Sequence, residues 1–137
     1  MTAMTDSGGS PATVLVVDDD PFNRTMLAMS LGADGHQVLE ACDGEEACCL
    51  VSGEEPKIDL LLSDVAMPRM GGVELTQRLR RRFPHLPVLL MSGYADHDEA
   101  RRIEAPVGLL YKPFSMLALD DRIRQCLRRS TPLLNQI

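Results

Sequence analysis

Four apolar runs in this 137-residue chain each deliver a polar group suited to phosphoryl transfer. VLVVDDD (14–20) ends in Asp18, Asp19 and Asp20, and LLLSD (60–64) ends in Asp64. VLLMS (88–92) ends in Ser92, and GLLYKPF (108–114) carries Lys112. If the runs are strands of one parallel sheet, all these groups face the crevice beyond the strands' carboxyl ends, where such sheets bind ligands. Carboxylates brought together there repel. At about 5 Å and an effective dielectric near 20, each like-charged pair costs roughly 3 kcal/mol. A bound Mg²⁺ relieves that cost, because it takes carboxylate oxygens, keeps several waters and accepts phosphate oxygen as a ligand.

Each group also has a plainer reading. Asp18 and Asp19 alone could be a solvated loop, and Asp20 is placed to cap the next helix. Asp64 alone could be a turn acid. At the end of a central strand it can instead be a nucleophile that forms an acyl phosphate. Pro68 and Gly71-Gly72 make the following loop tight, which could hold the backbone carbonyl of Ala66 beside the metal. Ser92 alone could be a cap or turn serine. Lys112, ending a buried strand beside acids, reads as an ion-pair partner, and its bond to Pro113 is a candidate cis peptide.

The elements that must position these groups alternate in type. Strands are expected at 13–17, 37–41, 58–63, 87–91 and 107–111. Helices are expected from Pro21 to about Gly32, over 43–52 closed by Gly53, over 74–83, over 96–103 and over 115–129. Pro21 suits a first helical position, and Leu75, Leu79 and Phe83 recur at helical spacing. Alternation of this kind means an α/β fold with a parallel sheet covered on both faces. The near-continuous apolar runs agree, since such strands are buried on both sides. Residues 1–12 and 130–137 are expected as tails around one domain over 13–129.

Composition narrows the function. Net charge is −6, which argues against direct nucleic-acid binding. No apolar run reaches membrane-spanning length and no signal peptide is visible, so a cytoplasmic protein is expected. Cys42, Cys48, Cys49 and Cys126 lack metal-ligand spacing and read as buried, reduced thiols. Arginines on three helices (Arg78 and Arg80 to Arg82; Arg101 and Arg102; Arg122, Arg124, Arg128 and Arg129) read as solvated faces pairing with local acids, or as a contact surface for an acidic partner. The motifs GxGxxG and GxxxxGK[ST] are missing, which removes nucleotide-binding modules of those types.

With its acid cluster, strand-end Asp64, Ser92 and Lys112-Pro113 in this order, the chain resembles the receiver domains of two-component response regulators from about Thr13 to Arg129. The resemblance implies a flavodoxin-like, doubly wound five-stranded parallel sheet of order 2-1-3-4-5 flanked by five helices. It implies that Asp64 is the phosphoacceptor. Asp19, Asp64 and the Ala66 carbonyl would bind Mg²⁺ directly, and Asp18 through water. Ser92 would be the switch hydroxyl and Lys112 the phosphoryl-binding lysine. The phosphodonor would be a histidine kinase or histidine phosphotransfer protein. A downstream protein would be met by the helix expected at 96–103, the fifth strand and the last helix. The module would catalyse its own phosphorylation and slow autodephosphorylation.

Two positions depart from the family. Many receivers carry an aromatic residue three before the lysine, and here it is Leu109, so the resemblance does not carry the aromatic switch over to this chain or assign it to Tyr111 or Tyr94. Ala66 has no polar side chain to position a hydrolytic water, which implies a long phosphoryl lifetime. The same residues leave two alternatives, a protein-binding pseudo-receiver and an aspartyl-nucleophile phosphatase, although the latter usually has a second acid where Ala66 stands. With eight residues after Arg129, the chain reads as a free-standing receiver or one excised from a larger protein such as a hybrid kinase.

Overall fold

The computed structural model describes residues 11–93 and 107–129. Five strands form one parallel sheet: β1 (Thr13–Val17), β2 (Gln37–Ala41), β3 (Leu60–Asp64), β4 (Val88–Ser92) and β5 (Gly108–Tyr111), in the order β2-β1-β3-β4-β5. Four helices lie among the described residues: α1 (Pro21–Ala33), α2 (Gly44–Leu50), α3 (Gly72–Arg82) and α4 (Met116–Arg129). The sequence leads to five; the remaining one, expected over 96–103, lies outside the described residues. So do 1–10 and 130–137 of the expected tails. Ala12 is described, and it is tied in: its N–H donates to His36 Nδ1 and its carbonyl accepts from the Gln37 N–H. No helix among the described residues is long and apolar enough to cross a membrane.

The sheet divides the core in two. Alternate side chains on a strand face opposite ways. Leu15, Val17, Leu61 and Leu90 therefore pack with Ala47, Leu75 and Leu79 from α2 and α3. Val14, Val16, Leu62 and Met91 pack with Leu27, Leu31, Leu119 and Ile123 from α1 and α4. β3 and β4 are buried along their whole length. The parallel register pairs Val17 with Ser63, Asp64 with Met91, and Ser92 with Tyr111, so the chemical residues arrive at one edge.

Local chemistry sets the helix starts. Asp20 accepts from the Phe22 N–H with Pro21 in the first turn, as expected. Asp43, expected as the first residue of α2, is instead its cap and accepts from the Glu46 N–H, while Glu46 accepts from the Cys42 N–H. That helix ends at Leu50 rather than at residue 52. α3 begins at Gly72, earlier than the Glu74 expected. Among the four free cysteines, only Cys126 is buried; Cys42 and Cys49 are exposed. The expectation of buried thiols holds for Cys126 but fails for Cys42, Cys48 and Cys49; on α2, Gly44 and Ala47 fill the inward face and leave Cys48 and Cys49 part-way out or outside. The thiols of Cys42 and Cys48 are both pushed up, by the Glu46 contact and by burial respectively, so they stay neutral.

Candidate functional site

The strand ends converge as the sequence leads one to expect. Asp18, Asp19 and Asp64 each offer a carboxylate oxygen, and these atoms lie within 4.8 Å of one another. Asp18 and Asp64 are buried, whereas Asp19 is exposed. Lys112 reaches in from the end of β5, with Nζ 3.0 Å from Asp64 Oδ2. The Lys112–Pro113 bond is cis. Ser92 closes β4, and its hydroxyl donates to the Gly93 carbonyl at 3.0 Å. Ala66 follows on the exposed loop, and its N–H favours the charged form of Asp64.

Electrostatics show strain in this set. Burial raises the Asp64 carboxyl above its ordinary value; the Lys112 contact and charge oppose this, and Asp19 adds to it. Burial also raises Asp18, with Asp64 pushing the same way and the Asp20 N–H and Lys112 pulling back. The second oxygen of Asp64, Oδ1, is buried and meets no donor of good hydrogen-bond geometry among the described residues. The Ala66 N–H lies near enough to act on the carboxylate, but its effect ranks after that of Lys112. A buried anionic oxygen left without a donor is costly. An all-oxygen, anionic donor set around such an atom fits a hard divalent cation such as Mg²⁺.

Backbone geometry holds the loop after Asp64. The Gly72 N–H donates to the Val65 carbonyl at 2.9 Å, and the Met70 N–H to the Pro68 carbonyl at 2.7 Å. A side chain at residue 72 would run into the carbonyl oxygen of Asp64, so glycine is required by close approach. Arg69 takes a left-handed φ of 69° and pairs with Asp43 at 3.1 Å, which ties this loop to the start of α2.

Several arginines do what the sequence did not reveal. Arg24 donates through Nη1 to the Asp18 carbonyl at 2.8 Å and pairs with Glu40 at 3.4 Å. Arg80 donates to the Leu86 carbonyl, and Arg82 to the carbonyls of Val51 and Gly53. The expected solvated face therefore holds for Arg78, which pairs with Glu74, but not for Arg80 or Arg82, which tether loops. Only spacing from the acid cluster along α1 could have singled out Arg24. Leu109 is partly buried against the α2–α3 side of the core. Tyr94 lies outside the described residues.

A cavity of about 300 Å³ opens beside the acids, with Asp18, Asn23, Met26, Met91, Lys112 and Met116 among its lining. Met26 and Met116 are exposed apolar residues at this opening.

Residues 14–124 match the family described as the response regulator receiver domain. The chain is 36% identical over 127 residues to the sensor kinase CckA of Brucella abortus, covering 91% of this chain and 13% of that protein. It is 38% identical over 125 residues to the response regulator MprA of Mycolicibacterium vanbaalenii, covering 89% of this chain and 53% of that one. The chain thus spans about half or less of these relatives. Among solved structures, the Vibrio cholerae chemotaxis protein CheY4 superposes with a TM-score of 0.74 at 31% identity, covering 86% of this chain and all of that one. With five parallel strands in this order and an acid-lined edge, the chain belongs to the response regulator receiver domain family.

Proposed function

We propose that the chain is a phosphoacceptor signalling module that takes a phosphoryl group from a phosphohistidine onto Asp64. The donor is a histidine kinase or a histidine phosphotransfer protein, and the setting is the cytoplasm. The observation that carries this reading is the state of Asp64: one oxygen held by Lys112 at 3.0 Å, the other buried beside two more carboxylates without a donor of good geometry among the described residues.

In the reaction, a carboxylate oxygen of Asp64 forms a bond to phosphorus as the donor's N–P bond breaks, and the imidazole leaves with the electron pair. Lys112 holds the carboxylate in place and then offsets negative charge on the phosphoryl oxygens. Asp19, Asp64 and the Ala66 carbonyl would hold Mg²⁺ directly, with Asp18 acting through a water, and the bound ion would neutralise charge on the transferred group. The Ser92 hydroxyl exchanges its Gly93 partner for a phosphoryl oxygen. That exchange changes the end of β4 and biases the neighbouring surface of β5 and α4, where a downstream protein binds. The exposed Met26 and Met116 beside the cavity suit contact with an apolar partner surface.

Incubation with Mg²⁺ and acetyl phosphate, followed by intact-mass measurement, tests the reading. A phosphoryl adduct that Asp64→Asn abolishes is the expected result. Steady release of phosphate would indicate a phosphatase instead, and no adduct would indicate a pseudo-receiver.

A further inference from the structure

The structure assigns Arg24 the role of a positioning residue for the acid set: by holding the Asp18 carbonyl toward the end of β2, it fixes the carboxylate spacing on which cation affinity depends. This rests on the reading of Asp18, Asp19 and Asp64 as a Mg²⁺ site. Arg24 stands in the first turn of α1, and its N–H makes an early helical bond to the Asp20 carbonyl at 2.9 Å. Long helical side chains lean toward the N-terminus, and this lean carries the guanidinium back to the acid loop. Nη1 donates to the Asp18 carbonyl at 2.8 Å, while Nε faces Glu40 Oε1 at 3.4 Å. Glu40 belongs to β2 and so aims the guanidinium from the neighbouring strand.

Asp18 is consequently held from three directions. Its N–H donates to the Ala41 carbonyl at 3.2 Å, its carbonyl accepts from Arg24, and its Oδ1 accepts from the Asp20 N–H at 2.9 Å. The side chain has little freedom to swing away from Asp64. Arg24 makes no hydrogen bond or ion pair to the carboxylates of the set; its own carboxylate partner is Glu40. Its direct contacts therefore place Asp18 and do not engage the carboxylates themselves. Groups that orient metal ligands in this indirect way typically contribute 10- to 100-fold in affinity.

Titration calorimetry of Mg²⁺ on the whole chain, with Arg24→Ala and Glu40→Ala beside the wild type, tests the assignment. The expected result is a loss of about tenfold in Mg²⁺ affinity for Arg24→Ala and a smaller loss for Glu40→Ala. Phosphorylation by acetyl phosphate, followed against Mg²⁺ concentration, should show a raised half-saturation with the plateau rate kept. A merely structural arginine would lower the plateau or the folded fraction and leave half-saturation unchanged; that result overturns the assignment. Should Arg24→Ala fail to fold, Glu40→Ala decides, because that side chain is 45% exposed and its loss leaves the core untouched. Wild-type affinity in Glu40→Ala would then overturn it. A wild type that takes up no Mg²⁺ would sink the site reading and this assignment together, a result distinct from wild type and variants binding equally well.

Discussion

The ammonium of Lys112 and the carboxylate of Asp64 meet at 3.0 Å across 48 residues of chain, joining the ends of β5 and β3. Asp64 is nearly buried in this pair, with 9% of its side chain exposed against 34% for Lys112. Removing the cation leaves a desolvated anion without its partner. Lys112→Ala is therefore expected to lower stability by about 1–3 kcal/mol, less than for a fully buried pair because the ammonium is partly hydrated. Urea denaturation without metal measures this, and adding Asp64→Asn should recover part of the loss. An unchanged midpoint in Lys112→Ala would show that the pair is too hydrated to matter.

Metal-free stability should depend on pH with a sign set by burial. Asp18 and Asp64 are both raised above the ordinary carboxyl value of 3.8, chiefly by desolvation. The folded chain thus holds their protons more tightly than the unfolded chain. Their contribution is fully present below that ordinary value and is lost as pH rises through the raised folded values. At neutral pH with a chelator, Asp18→Asn should be more stable than wild type by about 1 kcal/mol. Saturating Mg²⁺ should reverse the order, because the wild type gains binding free energy that the variant lacks. Melting curves with chelator and with Mg²⁺ check both halves.

Ala66 places a methyl group on the exposed loop two residues after Asp64, where no side-chain polar atom can orient water toward an acyl phosphate. Ala66→Asn is expected to shorten the phosphoryl lifetime several-fold, measured as decay of the adduct after removal of acetyl phosphate. Decay at the wild-type rate would locate the control of hydrolysis elsewhere.

Gly72 abuts the Asp64 carbonyl so closely that a methyl group must displace backbone. Gly72→Ala is expected to destabilise by about 1–3 kcal/mol and, if Asp64 takes the phosphoryl group as proposed, to slow phosphorylation, since the displaced backbone carries Asp64. Thermal melts and adduct formation rates report the two effects separately. Gly32→Ala, with nothing within 4 Å of the added carbon, serves as the control.

Local signals carried most of the fold. β1 and β2 occupy the expected residues, and β3, β4 and β5 lie within two residues of them. Buried parallel strands are continuous apolar runs, which need no knowledge of tertiary structure to recognise. Asp64 and Ser92 are the last residues of their strands and not the first beyond them, because the ladder to the neighbouring strand continues through each. Gly71-Gly72 read as loop, yet Gly72 opens α3 and its carbonyl accepts from the Thr76 hydroxyl. Arg24, Arg69 and Arg82 were not legible as fasteners. Their partners stand 6, 26 and about 30 residues away, and no local pattern encodes which carbonyl a guanidinium will find.

The sheet separates two apolar layers, one against α1 and α4 and one against α2 and α3. Damage on one side should then be felt weakly on the other: truncating Leu31 and Leu79 together should cost close to the sum of the single changes. A change at the strand-end rim would then be passed to the layer that carries α4, while the layer against α2 and α3 keeps its packing.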